Sequence, residues 1–196
     1  MSLNNLKQLP EEIQVQILRD MLVQDFLDEQ LKMVKEYGGI IKYIDDPSEE
    51  LQLAAVSSRD AWSFANIKYI NFPSEKVKLA AVSNDGTSIR YIKDPSEKVK
   101  LAAVIENEYA IQYIDFPSEE VKLTAVTKNG DSIQYIEDPS EKVQLAAVIE
   151  DGDSIRYIKD PSEKVQLAAV TQDGDSIQYI KDPSEKVIKV IKEINL

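Results

Sequence analysis

The sequence contains no cysteine and no histidine among its 196 residues. Their absence excludes Ser-His and Cys-His nucleophiles, the usual zinc sites and any disulfide bond, although it leaves the redox compartment open. Carboxylates alone could still catalyse, but no pair of acids stands out from the background of the chain. We therefore expect a protein that is not an enzyme, with no catalytic, cofactor-binding or metal-ligating residue.

Long apolar runs are also missing. No stretch approaches the roughly 18 apolar residues of a membrane-spanning helix, and the residues after Met1 do not form a basic and apolar secretory leader. Hydrophobic residues make up 43% of the chain and charged residues 30%, as is ordinary for a soluble domain. These features predict a soluble, cytoplasmic protein with no membrane partner.

Glycine is scarce, with six residues, and forms no glycine-rich phosphate loop. The prolines instead mark a tandem repeat, because seven of them are spaced by 26 and then five times by 22 residues. They are Pro47, Pro73, Pro95, Pro117, Pro139, Pro161 and Pro183. Such periodicity predicts an architecture in which each short unit is stabilised by stacking on its neighbours.

Each repeat carries signals for two short helices, and the cleanest copy begins at Asp138 and reads DPSEKVQLAAV. We predict that Asp138 caps the first helix, with Pro139 in its first turn and Glu141 completing an Asp-x-x-Glu capping box. The helix should end at the repeat's glycine, here Gly152, which can adopt a left-handed C-cap without steric cost. Ser154 should then cap a second, shorter helix that carries the Ile-x-Tyr-Ile motif.

The apolar residues of the first helix cover most of its circumference, which predicts a helix sandwiched between neighbours. They are Val143, Leu145, Ala146, Ala147 and Val148. The recurring tyrosines, from Tyr43 to Tyr179, are predicted to be structural, with the ring in the core and the hydroxyl at its edge. The predicted fold is all-α: an α-solenoid, a superhelical stack of about seven and a half 22-residue helix-turn-helix repeats. A β-α horseshoe, with Ile-x-Tyr-Ile as a strand, is disfavoured because the Leu-x-x-Leu-x-Leu-x-x-Asn pattern is missing.

The two ends of the chain read as caps for the stack. Residues 1–30 predict an N-terminal capping helix and the start of a degenerate repeat, 31–182 the tandem repeats, and 183–196 a C-terminal capping helix. The degenerate copy is visible because the segment from Leu31 aligns without gaps to the segment from Leu145. The sequence leaves the oligomeric state open and favours a monomer.

On these residues the repeats resemble the short two-helix families of the leucine-rich-repeat-variant type and other HEAT-like solenoids. The resemblance implies the solenoid fold but no particular activity. A second phrase, from Leu9 to Ile13, resembles the opening of an F-box, which would imply docking to a ubiquitin-ligase adaptor. A terminal capping helix is our preferred interpretation of that phrase.

Unusual residues are concentrated between Arg59 and Phe116. The connection after Val56 is four residues longer than its counterparts and contains the single tryptophan, while Phe72 and Phe116 replace the aspartate before the proline. This replacement gives up a cap worth about 1 kcal/mol unless the following serine takes over. Because aromatic residues dominate binding hot spots, these departures predict a partner-binding surface. Its candidate residues are Arg59, Trp62, Phe64, Phe72, Tyr109 and Phe116.

The alternative is structural: the same aromatic rings could pack beneath the long connection and fill grooves between repeats. The sequence leaves both interpretations open.

The net charge of −12 matches the acids that the helix starts bring, so helix capping alone could account for it. An acidic edge nonetheless repels nucleic acid and steers cationic partners. We therefore expect a protein-protein interaction scaffold that binds through its concave face or its aromatic-bearing N-terminal repeats, without direct nucleic-acid binding. The alternative is an acidic inhibitor of phage or mobile-element type that blocks a nucleic-acid-binding protein or defence nuclease by nucleic-acid mimicry. In both cases the partner is another protein, and the alternative requires a basic surface on it.

Overall fold

The computed structural model describes residues 11–58 and 63–194, and within these ranges every regular element is a helix. The α-helices are α1 (Glu11–Glu36), α2 (Glu49–Val56), α3 (Glu75–Asn84), α4 (Glu97–Glu106), α5 (Glu119–Lys128), α6 (Glu141–Glu150), α7 (Glu163–Gln172) and α8 (Glu185–Ile194). The 3₁₀ helices between them are η1 (Gly38–Tyr43), η2 (Ser63–Tyr69), η3 (Gly86–Tyr91), η4 (Glu108–Tyr113), η5 (Gly130–Tyr135), η6 (Gly152–Tyr157) and η7 (Gly174–Tyr179). The predicted α-solenoid is confirmed, and the Ile-x-Tyr-Ile motif lies on 3₁₀ helices rather than strands.

The chain divides into two compact units, one ending at Pro73 and the other beginning at Ser74. In the first unit α2 packs against α1, η1 and η2. In the second unit each α-helix from α3 to α8 packs on the next, and the 3₁₀ helices pack on the α-helices before and after them. Each unit is therefore a stretch of solenoid in which an element contacts the elements of adjacent repeats.

Helix α1 is longer than the others because no proline interrupts it. Asp25 occupies the position that proline holds in later repeats, so the helix continues without losing a backbone hydrogen bond. Two segments of interest lie outside the described residues, namely the first two residues of the F-box-like phrase and the connection from Arg59 to Trp62. Among the described helices, none combines the length and the apolar character needed to cross a bilayer.

Serine, not aspartate, caps the α-helices, so the predicted Asp138 cap is wrong. The Ser140 hydroxyl accepts a hydrogen bond from the Val143 amide at 3.2 Å. Asp138 lies two residues before this cap with φ of 44°, a left-handed backbone, whereas an N-cap residue needs extended dihedral angles. The same serine caps α2 to α7, through Ser48, Ser74, Ser96, Ser118, Ser140 and Ser162.

The turn into each 3₁₀ helix also differs from the prediction. The Asp151 carboxylate caps η6 by accepting a hydrogen bond from the Asp153 amide at 3.0 Å, while Ser154 is buried inside the helix. The predicted serine cap is therefore wrong. Gly152 has no positive φ, so the predicted left-handed C-cap is wrong as well. Its role is close packing, since a Cβ at Gly152 would lie 2.7 Å from the Ala169 carbonyl oxygen of the next repeat.

The core is a layer of small β-branched residues and alanines. In α6, Val143, Ala147 and Val148 are fully buried, and the following η6 adds Ile155, which is also buried. Leu145 and the adjacent alanine are only half-buried. The helix is thus covered on two sides by neighbouring repeats and keeps one partly apolar side at the surface.

Two rows of hydrogen bonds join adjacent repeats at opposite ends of the α-helices. At the N-terminal end the Ser140 hydroxyl donates to the Glu119 carboxylate of the preceding repeat at 2.5 Å, and equivalent bonds link three further pairs. At the C-terminal end the Gly152 amide donates to the Gln172 side chain of the following repeat at 2.8 Å. The acids at the helix starts therefore bind the neighbouring cap instead of capping their own helix.

The close approach at Gly152 predicts the effect of a single methyl group. Gly152→Ala should lower the free energy of unfolding by about 1–3 kcal/mol, because the added Cβ overpacks the contact with the next repeat. Urea denaturation followed by circular dichroism measures the change. Gly39→Ala is the matched control, since its Cβ would have only Asn66 Oδ1 nearby, at 3.8 Å. Equal destabilisation by both substitutions would contradict this explanation of the glycine.

Candidate functional site

The residue before the proline adopts a left-handed backbone in successive repeats. These residues and their φ values are Asp46 (46°), Phe72 (51°), Asp94 (48°), Phe116 (48°), Asp138 (44°) and Asp160 (49°). Aspartate tolerates this conformation, whereas a bulky side chain is strained there by roughly 1 kcal/mol or more. Phe72 and Phe116 are nevertheless 99% and 96% exposed. Neither ring is buried between repeats, so no packing within the described chain offsets the strain.

Phe116 lies beside a groove of about 510 Å³ between two adjacent repeats, which we call the Phe116 groove. Its floor contains the buried Ile111 and Ile114, and its walls contain Phe116 and Tyr135. The remaining lining residues are Gln112, Asp115, Pro117, Lys122, Glu137 and Asp138. An apolar floor with aromatic walls and several charged groups is typical of a site for one or two side chains of a ligand.

The charge of the Phe116 groove is opposite to that of the groove one repeat earlier. Three carboxylates, those of Asp115, Glu137 and Asp138, line the Phe116 groove with one ammonium group, that of Lys122. The earlier groove, of about 620 Å³, also borders Phe116 but carries more cations than acids. Its charged residues are Arg90, Lys93, Lys100, Asp94 and Asp115.

The 3₁₀ helices present a row of tyrosines that is partly exposed, with Tyr135, Tyr157 and Tyr179 each 39% exposed. The prediction that these rings lie in the core is wrong, because isoleucines such as Ile155 fill that layer and leave the tyrosines at its edge.

Arginine side chains stack on several of these rings. The Arg90 guanidinium lies 4.7 Å from the centre of the Tyr113 ring in the next repeat, and Arg156 lies 4.7 Å from that of Tyr157. Hydrogen bonding to the Tyr157 side chain, with a smaller contribution from a nearby carboxylate, raises the pKa of Arg156 above its usual range. The stacked guanidinium therefore stays cationic and forms a cation–π contact.

Tyr109 stabilises one wall of the Phe116 groove. Its ring meets the Tyr135 ring edge to face, with centres 6.2 Å apart, and its hydroxyl accepts a hydrogen bond from Asn129 Nδ2 at 2.8 Å. The neighbouring departure from the repeat is compensated locally, since Glu108, which replaces a glycine, forms a 3.8 Å ion pair with Lys128. Tyr109 therefore supports the wall, whereas Phe116 projects into solvent.

The predicted partner-binding residues do not form one described cluster. Phe116 lines the Phe116 groove and Tyr109 contacts its wall through Tyr135, while Phe72 lines a groove of about 500 Å³ in the unit that ends at Pro73. Arg59 and Trp62 lie outside the described residues, and the side chain of Phe64, in η2, is not described either.

Of the residues that line the Phe116 groove, the sequence identified only Phe116 as a candidate, and it missed Gln112, Tyr135 and Glu137 among others. A signal for them was present in the alignment of the repeats, because Glu137 occupies the position of Lys93 and Lys159 in other copies. The charge at this position varies among the repeats, since Asp45 and Asp115 are also acidic, and the variation is visible once neighbouring repeats are compared side by side.

The acidic turns do not require a metal ion. The Asp-Gly-Asp-Ser sequence from Asp151 is a turn capped by its first carboxylate, which accepts a backbone hydrogen bond. Within the described ranges no three acidic side chains come together as metal ligands.

Comparison with known proteins finds no matching family model, no matching curated protein and no matching solved structure. Repeated helix-turn-helix units are thus what the fold shows, and the resemblance to a particular repeat family stays a prediction.

Because Phe116 strains the backbone, we expect its replacement to stabilise the fold, whereas most substitutions destabilise a protein. Phe116→Asp should raise the free energy of unfolding by about 1 kcal/mol, because aspartate relieves the left-handed strain and the exposed ring loses no packing. The matched control is Asp138→Phe, which should lower it by a similar amount. Chemical denaturation of both variants measures the pair. A Phe116→Asp variant less stable than the wild type would contradict the strain.

Proposed function

We propose that this protein is a non-catalytic interaction scaffold that binds another protein through exposed aromatic side chains at its repeat junctions. One observation carries the proposal: Phe116 is 96% exposed at a φ of 48°, where other repeats have aspartate. Stability alone would favour aspartate at this position. A residue that lowers stability and buries nothing in the unbound chain is expected at a binding surface.

The Phe116 groove supports the proposal through its shape. An extended segment of a partner can place one side chain on the floor formed by Ile111 and Ile114 and cover the Phe116 ring at the same time. Burying a phenylalanine side chain in an interface contributes several kilocalories per mole to the free energy of binding, minus the cost of ordering the side chain. Such a ring therefore acts as an anchor. The aromatic junctions have this support, and we therefore place the partner there rather than on the concave face.

We also propose that the chain belongs to a leucine-rich-repeat-variant or HEAT-like family and that it is a soluble, cytoplasmic protein. Stacked helical repeats commonly present extended binding surfaces and have no activity of their own. The repeated helix-turn-helix units support the first point, and the ordinary composition of the chain supports the second.

A second candidate function is the acidic inhibitor, and one observation favours it. The Glu119 and Glu141 carboxylates each accept a hydrogen bond from the serine of the next repeat, at 2.5 Å and 2.7 Å. The row of acids is thereby held in fixed positions with one carboxylate per repeat, as mimicry of a phosphate backbone would require. Its interaction would be mainly electrostatic and would weaken steeply with salt.

Affinity purification from lysate of the cells that express the protein separates the two candidates. The baits are the wild type, Phe72→Asp/Phe116→Asp, and Glu119→Gln/Glu141→Gln. We expect a stoichiometric partner that the phenylalanine variant holds at least about tenfold more weakly and that the glutamate variant retains.

The converse pattern would support the inhibitor: a partner lost with the glutamate variant, eluted by moderate salt and displaced by DNA. A partner that binds all three baits equally, or no partner at all, would contradict the scaffold proposal. Because Phe116→Asp is expected to stabilise the fold, loss of binding in that variant cannot be attributed to unfolding.

A further inference from the structure

Among the repeat tyrosines, Tyr135 has an unusual environment. In the row from Tyr43 to Tyr179, each other tyrosine has a lysine or arginine immediately before it in its own 3₁₀ helix or at the equivalent position of the preceding repeat. Tyr135 has Gln134 and Gln112 at these two positions. In the part of the chain that the structure describes, no lysine or arginine lies over its ring.

The internal arginines show what normally occupies this place. Arg90 reaches the ring of Tyr113 in the next repeat at 4.7 Å, and Arg156 reaches that of Tyr179 at 5.9 Å. Gln112 has the same position relative to Tyr135 as Arg90 has relative to Tyr113. Its amide group instead donates to the Tyr109 carbonyl oxygen at 3.0 Å. The wall of the Phe116 groove therefore lacks the guanidinium that the same architecture provides one repeat earlier.

The Phe116 groove carries acidic residues at a position where some other repeats have lysine, and this difference favours a cationic ligand. Asp115 and Glu137 occupy the position that is Lys93, Lys159 and Lys181 in three other repeats. Both acids line the Phe116 groove. The position varies among the repeats, with Asp45 in the first full copy, but within the described residues only here do two such acids line a groove beside a tyrosine without a stacked cation.

The single ammonium group in the groove does not replace the missing guanidinium. Lys78 and Lys100 occupy the position of Lys122 in earlier repeats, and each donates to the backbone carbonyl of the junction that follows, at 3.4 Å and 3.3 Å. Within the described residues the Lys122 ammonium group does not lie over the Tyr135 ring, so it does not take the place of the guanidinium.

We infer that the Phe116 groove binds an arginine side chain from an extended segment of the partner protein, with its guanidinium stacked on Tyr135 and paired with the acids of the groove. An apolar residue of the same segment packs on Phe116. Arginine is preferred over lysine, because its planar, weakly hydrated group stacks on an aromatic ring and pairs with a carboxylate at the same time. This inference rests on the proposed function and specifies the partner's chemistry.

The repeats themselves supply the test variants. Gln112→Arg places the chain's own arginine over Tyr135, as Arg90 is placed over Tyr113, and should block the groove. Glu137→Lys restores the lysine of other repeats and should repel an incoming arginine. Both changes restore residues that equivalent repeats contain, so the fold should be retained. Gln178→Arg, at the equivalent position of the last 3₁₀ helix, is the matched control.

The probe is a phage-displayed library of random 12-residue peptides, selected on the full chain. We expect the selected peptides to share an arginine next to an apolar residue, and replacement of that arginine by lysine to weaken binding. Fluorescence anisotropy with the labelled peptide should show about tenfold weaker binding for Gln112→Arg and for Glu137→Lys, and less than a twofold change for Gln178→Arg.

Three outcomes would overturn the inference: no peptide is selected, the selected peptides lack arginine, or Gln112→Arg binds as well as the wild type. The last two outcomes would contradict the arginine inference without contradicting the proposed function. If peptide binding requires Phe116 but is unchanged by Gln112→Arg, the result would support the scaffold proposal and contradict only the inference that the groove binds arginine. Thermal unfolding of each variant verifies that its fold is intact.

Discussion

The close contact between the 3₁₀ helix of one repeat and the α-helix of the next constrains the rest of the structure. At Gly152 the distance to the Ala169 carbonyl oxygen leaves no room for a side chain, and the buried valines and alanines of the α-helices are small for the same reason. A larger residue at a position that faces a neighbouring repeat therefore requires a change in that neighbour. Residues at the junction before each proline contact no neighbour in this way, and sequence change there is tolerated.

Departures from the repeat follow this division between packed and exposed positions. Where a packed position changes, a partner changes with it, as Glu108 and Lys128 illustrate by forming an ion pair in place of a glycine contact. At Phe116 the change is exposed and uncompensated, and it strains the backbone. Compensation accompanies changes at packed positions, whereas the change at Phe116 has no compensating contact in the described part of the chain.

The sequence was sufficient to predict the fold and the end of α6 near Gly152, since the regular spacing of the repeats determines both. The caps could not be predicted, because the sequence Asp-Pro-Ser-Glu offers two capping residues two positions apart. Only the left-handed backbone at Asp138 shows that serine is the cap. The role of the repeat's glycine was ambiguous for a similar reason, because a left-handed turn and a close contact between repeats both require glycine.

The candidate groove was only half visible in the sequence. Phe116 could be identified because it departs from its own repeat. Tyr135 and Gln112 follow their repeats, and their importance depends on which side chain of one copy reaches a ring in the next. That relation requires the distance between residues more than twenty positions apart, which a pattern within one repeat does not contain.

The hydrogen bonds between repeats also govern how such a chain can change in length. Among the described residues, four serines bind the glutamate of the preceding repeat, and three glycine amides bind the side chain that ends the α-helix of the following repeat. Removing or inserting a full 22-residue period brings equivalent donors and acceptors together again, although the chain also contains one period of 26 residues. The chain can therefore gain or lose whole repeats, and a groove with altered side chains can be duplicated along the stack without changes in its neighbours.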